Sequence, residues 1–139
     1  MASSYTSLLG LIQPTTGSLT NTWGTAVNNQ LTQLIEDSIA QYATASVTSG
    51  NWTLSTTAGG VANEARDAIL IATGTPGTTR YIYAPKQSKL YVVINNTDSL
   101  IYLRGGPTSP TTGAFVGAGQ AALMAWDSSV GDFVKVAGG

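Results

Sequence analysis

The chain has 139 residues, a net charge of −1, and neither cysteine nor histidine. This length suits one domain with a single hydrophobic core. The charge balance gives no basic footprint for DNA or RNA, so we expect no nucleic-acid partner. Only 9% of the residues are charged, against roughly a quarter in an average soluble domain. With 20 Thr and 13 Ser, the chain is typical of β structure whose surface is partly covered by partners.

Residues 1–20 are predicted to form an extended docking arm. Gly10, Pro14 and Gly17 interrupt any helix in this stretch, while its apolar side chains indicate packing on the chain's own domain or on a neighbour. The stretch has no basic start and only a short apolar run. We therefore expect neither a secretory leader nor membrane insertion. The residues assigned to docking are Leu8, Leu9, Leu11, Ile12 and Pro14.

Residues 21–43 are predicted to form one amphipathic helix, because apolar residues recur there at spacings of three and four. Asn21 or Thr22 would cap its first turn. No second helix is predicted that could pair with this one, so its apolar stripe must pack on a sheet or against copies of itself. The residues assigned to this packing are Trp23, Gly24, Val27, Leu31, Leu34, Ile35 and Ile39.

Trp23 and Gly24 stand side by side at the start of this helix. A glycine costs little stability there, because the first backbone N–H groups of a helix have no intrahelical partner. Its missing side chain lets another chain come close. We interpret the pair as a joint between arm, helix and neighbouring subunit. Burial of Trp23 against its own sheet is the alternative.

Residues 44–139 are predicted to form a β domain of nine short strands rich in Val, Ile, Tyr and Thr. Their near-regular spacing favours an antiparallel β-sandwich or a small β-barrel, and no internal repeat is evident. Residues 95–98 are predicted to form a hairpin turn. The fold class is therefore α+β, mainly β. The predicted strands cover residues 45–48, 51–56, 68–73, 80–84, 90–95, 100–104, 114–117, 121–126 and 133–137.

Nothing in the sequence singles out a catalytic or metal site. The seven acidic residues are scattered, whereas glycosidases and carboxylate metal sites need converging carboxylates. Without histidine or cysteine, the common nucleophile–base pairs are excluded. We therefore expect no enzyme activity, no metal and no cofactor. Most basic residues are expected at solvated strand ends and loops: Arg66, Arg80, Lys86, Lys89 and Arg104.

Aromatic residues in the β domain have two interpretations. Aromatic faces stack on the apolar faces of sugars, so a glycan platform is one of them. Period-two aromatic residues also fill cores and form cross-strand pairs, and we favour this second interpretation while keeping Trp52 and Trp126 as candidate glycan contacts. The residues concerned are Trp52, Tyr81, Tyr83, Tyr91, Tyr102 and Trp126.

Three segments resemble structural proteins of tailed bacteriophages. LGLIQPTTGSLTNTWGTAVNNQLTQLIEDSIA is similar to a segment of tail fibres and fibre-like virion proteins, while RYIYAPKQSKLYVVINNT and GAGQAALMAWDSSVGDFVKV resemble the β-module that follows it. Together the segments cover most of the chain. The first resemblance is carried by Leu9, Pro14, Gly17, Trp23, Gly24, Asn28, Leu31, Leu34, Ile35 and Ile39.

The resemblance implies a non-enzymatic component of the virion surface, made in the host cytoplasm, released by lysis and assembled as a homotrimer. A chain with one β-module and no shaft repeats suits a capsid decoration (cement) protein or a short head fibre. A tail-fibre, tail-spike or adaptor protein is the alternative. The expected partners are further copies of the chain and phage capsid or tail proteins, with a host surface glycan as a further partner in the alternative.

Overall fold

The computed structural model describes residues 3–56, 59–110 and 114–139. Residues 1–2 of the predicted arm, and residues 57–58 and 111–113 of the predicted β domain, lie outside this description. The chain is mainly β, with one helix of 18 residues. All nine strands predicted after residue 44 are present, with ends moved by a few residues. The strands are β1 (Ser4–Tyr5), β2 (Ile12–Gln13), β3 (Tyr42–Ser46), β4 (Trp52–Thr53), β5 (Ile69–Gly74), β6 (Arg80–Tyr83), β7 (Leu90–Thr97), β8 (Ile101–Arg104), β9 (Ala114–Val116), β10 (Ala121–Asp127) and β11 (Asp132–Gly138).

The helix, α1, spans residues 23–40 and changes pitch in its middle. Two α-helical segments, Trp23–Val27 and Gln33–Ala40, flank the π-helical segment Asn28–Thr32. Thr22 takes the N-cap position, but its side chain makes no capping hydrogen bond. The helix ends at Ala40 because the next residue is already extended. It is therefore shorter than predicted.

Two mixed sheets make up the β domain, one with strand order β11-β10-β7-β5-β3 and one with order β4-β6-β8-β9. From β3 to β8 the chain enters them alternately, and successive strands within each sheet pair in parallel. Only β9, β10 and β11 add antiparallel pairs to these two sheets in the described part of the chain. The antiparallel prediction is thus wrong from β3 to β8, because each connection crosses to the other sheet. The small barrel is also wrong, since the described strands close no barrel.

The alternation is a structural repeat without a sequence repeat. Three strand pairs, β3–β4, β5–β6 and β7–β8, stack so that Tyr42 lies beside Ile69 and Ile69 beside Val92. In the other sheet, Trp52 lies beside Ile82 and Ile82 beside Leu103. The loops between equivalent strands differ in length, and this hides the period from the sequence.

The predicted hairpin turn at residues 95–98 is wrong. Strand β7 continues to Thr97, and the chain then crosses to β8 in the other sheet. Asn95 is fully buried at this crossover. Its side-chain amide donates to the backbone carbonyls of Ser99 (2.8 Å) and Val116 (2.9 Å), and its Oδ1 accepts from Thr97. Asn95, which predicted a turn, therefore stabilises the crossover from β7 to β8.

One hydrophobic core lies between the two larger sheets, which are layered on it. Strand residues fill this core, because every second side chain along a strand points to the same face of its sheet. Since both sheets bury side chains in the same cluster, the β domain folds as one unit. Its fully buried members include Val47, Leu70, Ile82, Val93, Ile101, Leu103, Val116, Met124 and Phe133.

Residues 3–13 form a small hairpin instead of an extended arm. Strands β1 and β2 pair antiparallel, and the hairpin lies against the loop that follows β4. The Gly60 N–H donates to the Gly10 carbonyl at 3.0 Å. The guanidinium of Arg66 donates to the carbonyls of Leu9 and Val61. This half of the predicted arm therefore docks on its own domain.

Candidate functional site

The solvent side of α1 carries an apolar row. Trp23 is 65% exposed, Ile35 39% and Ile39 73%, while Val27 and Leu31 between them are half-buried. These residues follow one another at a spacing of four, and a π-helical segment, which holds more residues per turn, keeps such a row close to one face. Leu34 points the other way and is only 1% exposed. The predicted stripe is therefore divided, with most of it facing outward.

Trp23 and Gly24 lie at an open end of this row. Apart from its two chain neighbours and the nearby helix backbone, no described residue comes within 4 Å of the place that a Cβ on Gly24 would take. Trp23 and the turns from Pro14 to Thr20 line an open groove of about 340 Å³. Burial of Trp23 against its own sheet is thus wrong, and the structure joins the end of the arm to the start of the helix.

The five residues assigned to docking also divide into buried and exposed side chains. Ile12 is buried, at 5% exposure, and Leu9 and Leu11 are half-buried. Leu8 is 54% exposed, and Pro14 is exposed beside the groove. Only Leu8 and Pro14 of this set are therefore freely available to another protein.

A buried charged cluster holds the hairpin, the helix and the β domain together. Arg66 is 4% exposed, and Asp37 of α1 and Asp67 are similarly buried. Burial lowers the pKa of Arg66, although Asp37 and Asp67 oppose this effect. Burial and the neighbouring Asp37 raise the pKa of Asp67 to about 6, and burial lowers the pKa of Lys89 to about 8.

The expectation that basic residues sit at solvated positions is wrong for Arg66 and Arg104. Arg104 is 9% exposed and forms an ion pair with the fully buried Asp132 at 3.4 Å. Its guanidinium also donates to the carbonyls of Ser109 and Pro110. Both arginines thus fasten loops. No group of three or more acidic side chains in the described ranges is placed to hold a metal ion.

Of the two candidate glycan contacts, Trp52 lies in the core and Trp126 lies at its margin. Trp52 is 6% exposed, and its indole N–H donates to Glu64 at 3.3 Å. Trp126 is half-buried and packs edge-on against Phe133, with ring centroids 5.3 Å apart. The structure does not place the Trp52 ring where a surface ligand reaches it.

Three tyrosines lie instead on the outer face of the four-stranded sheet, because they alternate with the buried Ile82, Ile101 and Leu103. Tyr81 and Tyr83 have ring planes within 4° of each other and centroids 6.1 Å apart. Within the favoured interpretation, core filling is therefore wrong for these tyrosines and correct for Trp52 and Tyr91, which are buried. Cross-strand pairing is correct for Tyr81 and Tyr102, which lie beside each other in β6 and β8.

A fourth ring, that of Phe115 in β9, continues the series. The Tyr102 centroid lies 5.6 Å from that of Tyr81 and 5.7 Å from that of Phe115. Phe115 is 46% exposed and the tyrosines are half-buried. We call these four residues, Tyr83, Tyr81, Tyr102 and Phe115, the aromatic strip. Phe115 was missed in the sequence because β9 is short and holds only one aromatic residue.

Comparisons with protein-family models, with curated proteins and with solved structures find no match to the chain. Within the part of the chain that the structure describes, no helix is both long enough and apolar enough to cross a membrane. The exposed row of α1 and the aromatic strip are two candidate interaction surfaces.

Proposed function

We propose that the chain is a non-enzymatic structural protein of a tailed-phage virion, namely a capsid decoration subunit or short head fibre that assembles as a homotrimer. The observation that carries this proposal is the apolar row of α1, in which Trp23, Ile35 and Ile39 face solvent together. Contiguous exposed apolar residues of this kind are typical of an interaction surface. Further copies of the same helix supply a matching surface around a threefold axis.

The residues around this row favour self-association. Uncharged side chains flank it on α1, including Asn28, Asn29 and Thr32, and Glu36 is the one exposed acidic residue of the helix. Copies of such a helix can approach without strong repulsion between like charges. The segment with the phage-like sequence also contains the whole row, so the resemblance and the exposed surface support the same role.

Docking on the particle is assigned to the part of the N-terminal region that its own domain leaves uncovered. Leu8 and Pro14 are exposed, and the groove beside Trp23 is open. An extended segment of a capsid or tail protein would lie in this groove. The two layered sheets favour a β-sandwich as the module displayed outward, on the virion surface.

The homotrimer is tested with purified protein by sedimentation equilibrium. We expect a trimer for the wild-type chain and a monomer for Ile39→Asp, because the new carboxylate would be buried without a partner. Val136→Asp, which changes another exposed β-branched apolar residue on β11, is the matched control and should remain a trimer. A monomeric wild-type chain at the highest soluble concentration would overturn the proposal.

A second candidate function is a tail-fibre, tail-spike or adaptor protein whose β domain binds a host glycan. The aromatic strip favours it, since four rings face outward on one sheet. Antibody labelling of virions that carry the chain separates the two candidates. Label on the capsid supports the decoration protein, label on the tail supports the fibre or adaptor, and unlabelled particles contradict both.

A further inference from the structure

The aromatic strip leads into a groove. Beside Tyr83, the outer face of the four-stranded sheet meets an open depression of about 440 Å³. Apolar and neutral polar residues line it together, among them Pro85, Pro107, Thr53 and Gln87. Tyr83 ends the strip and also lines the groove, so the rings and the groove follow one line. Such a line fits an extended polymer better than a compact small molecule.

The rings supply aromatic surface on which a sugar can pack. The ring planes of Tyr81 and Tyr83 are parallel to within 4°, with centroids 6.1 Å apart, and both side chains are half-buried, so part of each ring is open to a ligand. Each tyrosine combines an apolar face with a hydroxyl group at its rim. The Asn51 side chain adds an amide beside them, since its Oδ1 accepts the Tyr81 N–H at 3.0 Å. A pyranose ring has the complementary chemistry, with flat C–H faces and hydroxyl groups around the edge.

The charges around the strip favour an acidic ligand. The Lys135 ammonium lies 4.3 Å from the Phe115 ring centroid. The same ammonium donates to the Gly139 carbonyl at 3.2 Å, and among the described residues it forms no ion pair with a carboxylate side chain. The Arg104 guanidinium lies 5.8 Å from the Tyr81 ring centroid and is paired with Asp132. The Phe115 end of the strip therefore carries a positive charge.

We infer that the aromatic strip and its groove bind a linear saccharide that carries carboxylate groups. Pyranose faces stack on Tyr81, Tyr83 and Tyr102, and a sugar carboxylate lies near Lys135. A nucleic acid would stack on the same rings, but its phosphates need several cations along the path. The cations that the structure places at the rings of the strip are Lys135 and the ion-paired Arg104. For its biological role the inference rests on the second candidate function. Binding itself requires no virion.

The test uses the purified full chain and an array of acidic oligosaccharides with their neutral counterparts. The probe pair for titration calorimetry is oligogalacturonate and its methyl ester. We expect saturable binding of acidic members of the array and weaker binding of their neutral forms. The expected loss is about fivefold for Tyr81→Leu and for Tyr102→Leu, because each removes one stacking face. Tyr42→Leu, which changes an exposed tyrosine on the other sheet, should bind like the wild type.

Lys135 is tested separately. Lys135→Gln should reduce the preference for the acidic over the neutral probe about threefold, as expected for a solvent-accessible ion pair. Its matched control is Lys89→Gln, which removes a cation that lies over the Tyr91 ring, away from the strip. An equal affinity of wild-type protein for both probes would overturn the role of Lys135. Binding of single-stranded DNA in place of saccharides would overturn the ligand class.

A measurement on the wild-type chain keeps the inference testable if the tyrosine variants fail to fold. With tyrosine rings isotope-labelled, the NMR resonances of Tyr81, Tyr83 and Tyr102 should shift on titration, and those of Tyr91 and Tyr42 should not. Absence of binding to every acidic saccharide overturns the inference, even where the trimer and its place on the tail are established. Binding by a monomeric chain found on no virion would instead uphold the site and contradict the proposed function.

Discussion

At the scale of single residues, the buried Arg66 connects the N-terminal hairpin to the β domain through hydrogen bonds to backbone carbonyls. Arg66 was expected in solvent, yet it is buried and contacts the hairpin through Leu9 and the neighbouring loop through Val61. Nothing in the local sequence indicates this, because both acceptors are backbone carbonyls. Their position depends on how the hairpin folds back. A guanidinium suits the task, since it donates in several directions at once.

Replacement of Arg66 should release the N-terminal hairpin. Arg66→Leu leaves two carbonyls without their donor and Asp37 without its nearby positive charge. We expect the free energy of unfolding in urea to fall by about 3 kcal/mol, and limited proteolysis to cut within residues 3–13. Arg66→Lys keeps the positive charge but replaces the branched guanidinium with a single ammonium. Its free energy of unfolding should therefore lie between those of the wild type and Arg66→Leu. A Leu variant as stable as the wild type would show that the hairpin is held by other contacts.

The pKa of Asp67 predicts a local pH dependence of stability. Burial raises this pKa from 3.8 to about 6, so the favourable contribution of the protonated form is complete below about pH 4 and is lost as the pH rises through 6. Asp67→Asn mimics the protonated form. It should match the wild type near pH 4 and be more stable by about 1 kcal/mol at pH 7, since solvent screens part of the effect.

The measurement is urea unfolding of both proteins at several pH values, because the difference cancels the titration of other carboxylates. Glu36→Gln, on the exposed side of α1, is the charge-matched control. A constant difference between Asp67→Asn and the wild type from pH 4 to 7 would contradict the prediction.

At the scale of elements, the existence of strands was predictable and their partners were not. Alternation of apolar and polar residues indicates a strand whichever neighbour it has. Residues 90–95 and 100–104 were therefore found, although β7 and β8 belong to different sheets. Polar residues between two strands indicate a change of direction, and a hairpin and a crossover need similar residues. What separates them here is the burial of Asn95.

Asn95 should be critical for the crossover. Asn95→Ala removes the amide donor to the carbonyls of Ser99 and Val116 and the acceptor of the Thr97 N–H, although the Thr97 hydroxyl still donates to Ser99. We expect a loss of roughly 3 kcal/mol in chemical unfolding. Asn95→Asp keeps the size and loses both donors, so it should destabilise at least as much. The exposed neighbour Asn96→Ala is the control, and an equal effect at both positions would refute the assignment.

At the scale of the whole molecule, composition and periodicity predicted the class, whereas the stacking of strand pairs was hidden by unequal loops. The candidate surfaces show the same limit. A spacing of three and four predicted the apolar residues of α1, but the sequence did not show that Leu34 faces inward and Ile39 outward. The aromatic strip depends on the parallel pairing of β6 and β8, which brings Tyr81 beside Tyr102.

The stacked topology predicts a pattern of amide hydrogen exchange. Strand β7 lies between β5 and β10, and its amides donate to both sides, as Val92 does to Ala68 and Asn95 to Gln120. Strand β3 is an edge whose only neighbour in the sheet, within the described chain, is β5. Next to β3, the Val47 N–H donates to the Thr73 carbonyl. The N–H groups of the odd-numbered residues of β3 therefore point toward β5, and those of the even-numbered residues point toward the open edge.

Amides of β7 should therefore be protected without interruption, whereas in β3 only Ala43 and Ala45 should exchange slowly. Thr44 and Ser46 should exchange rapidly, because their N–H groups point toward water at an open edge. Exchange measured by NMR on the Ile39→Asp monomer tests the fold alone, and the same measurement on the trimer tests whether assembly covers the edge. Slow exchange of Thr44 and Ser46 in the monomer would contradict the edge position of β3, since no neighbouring strand would then explain the protection.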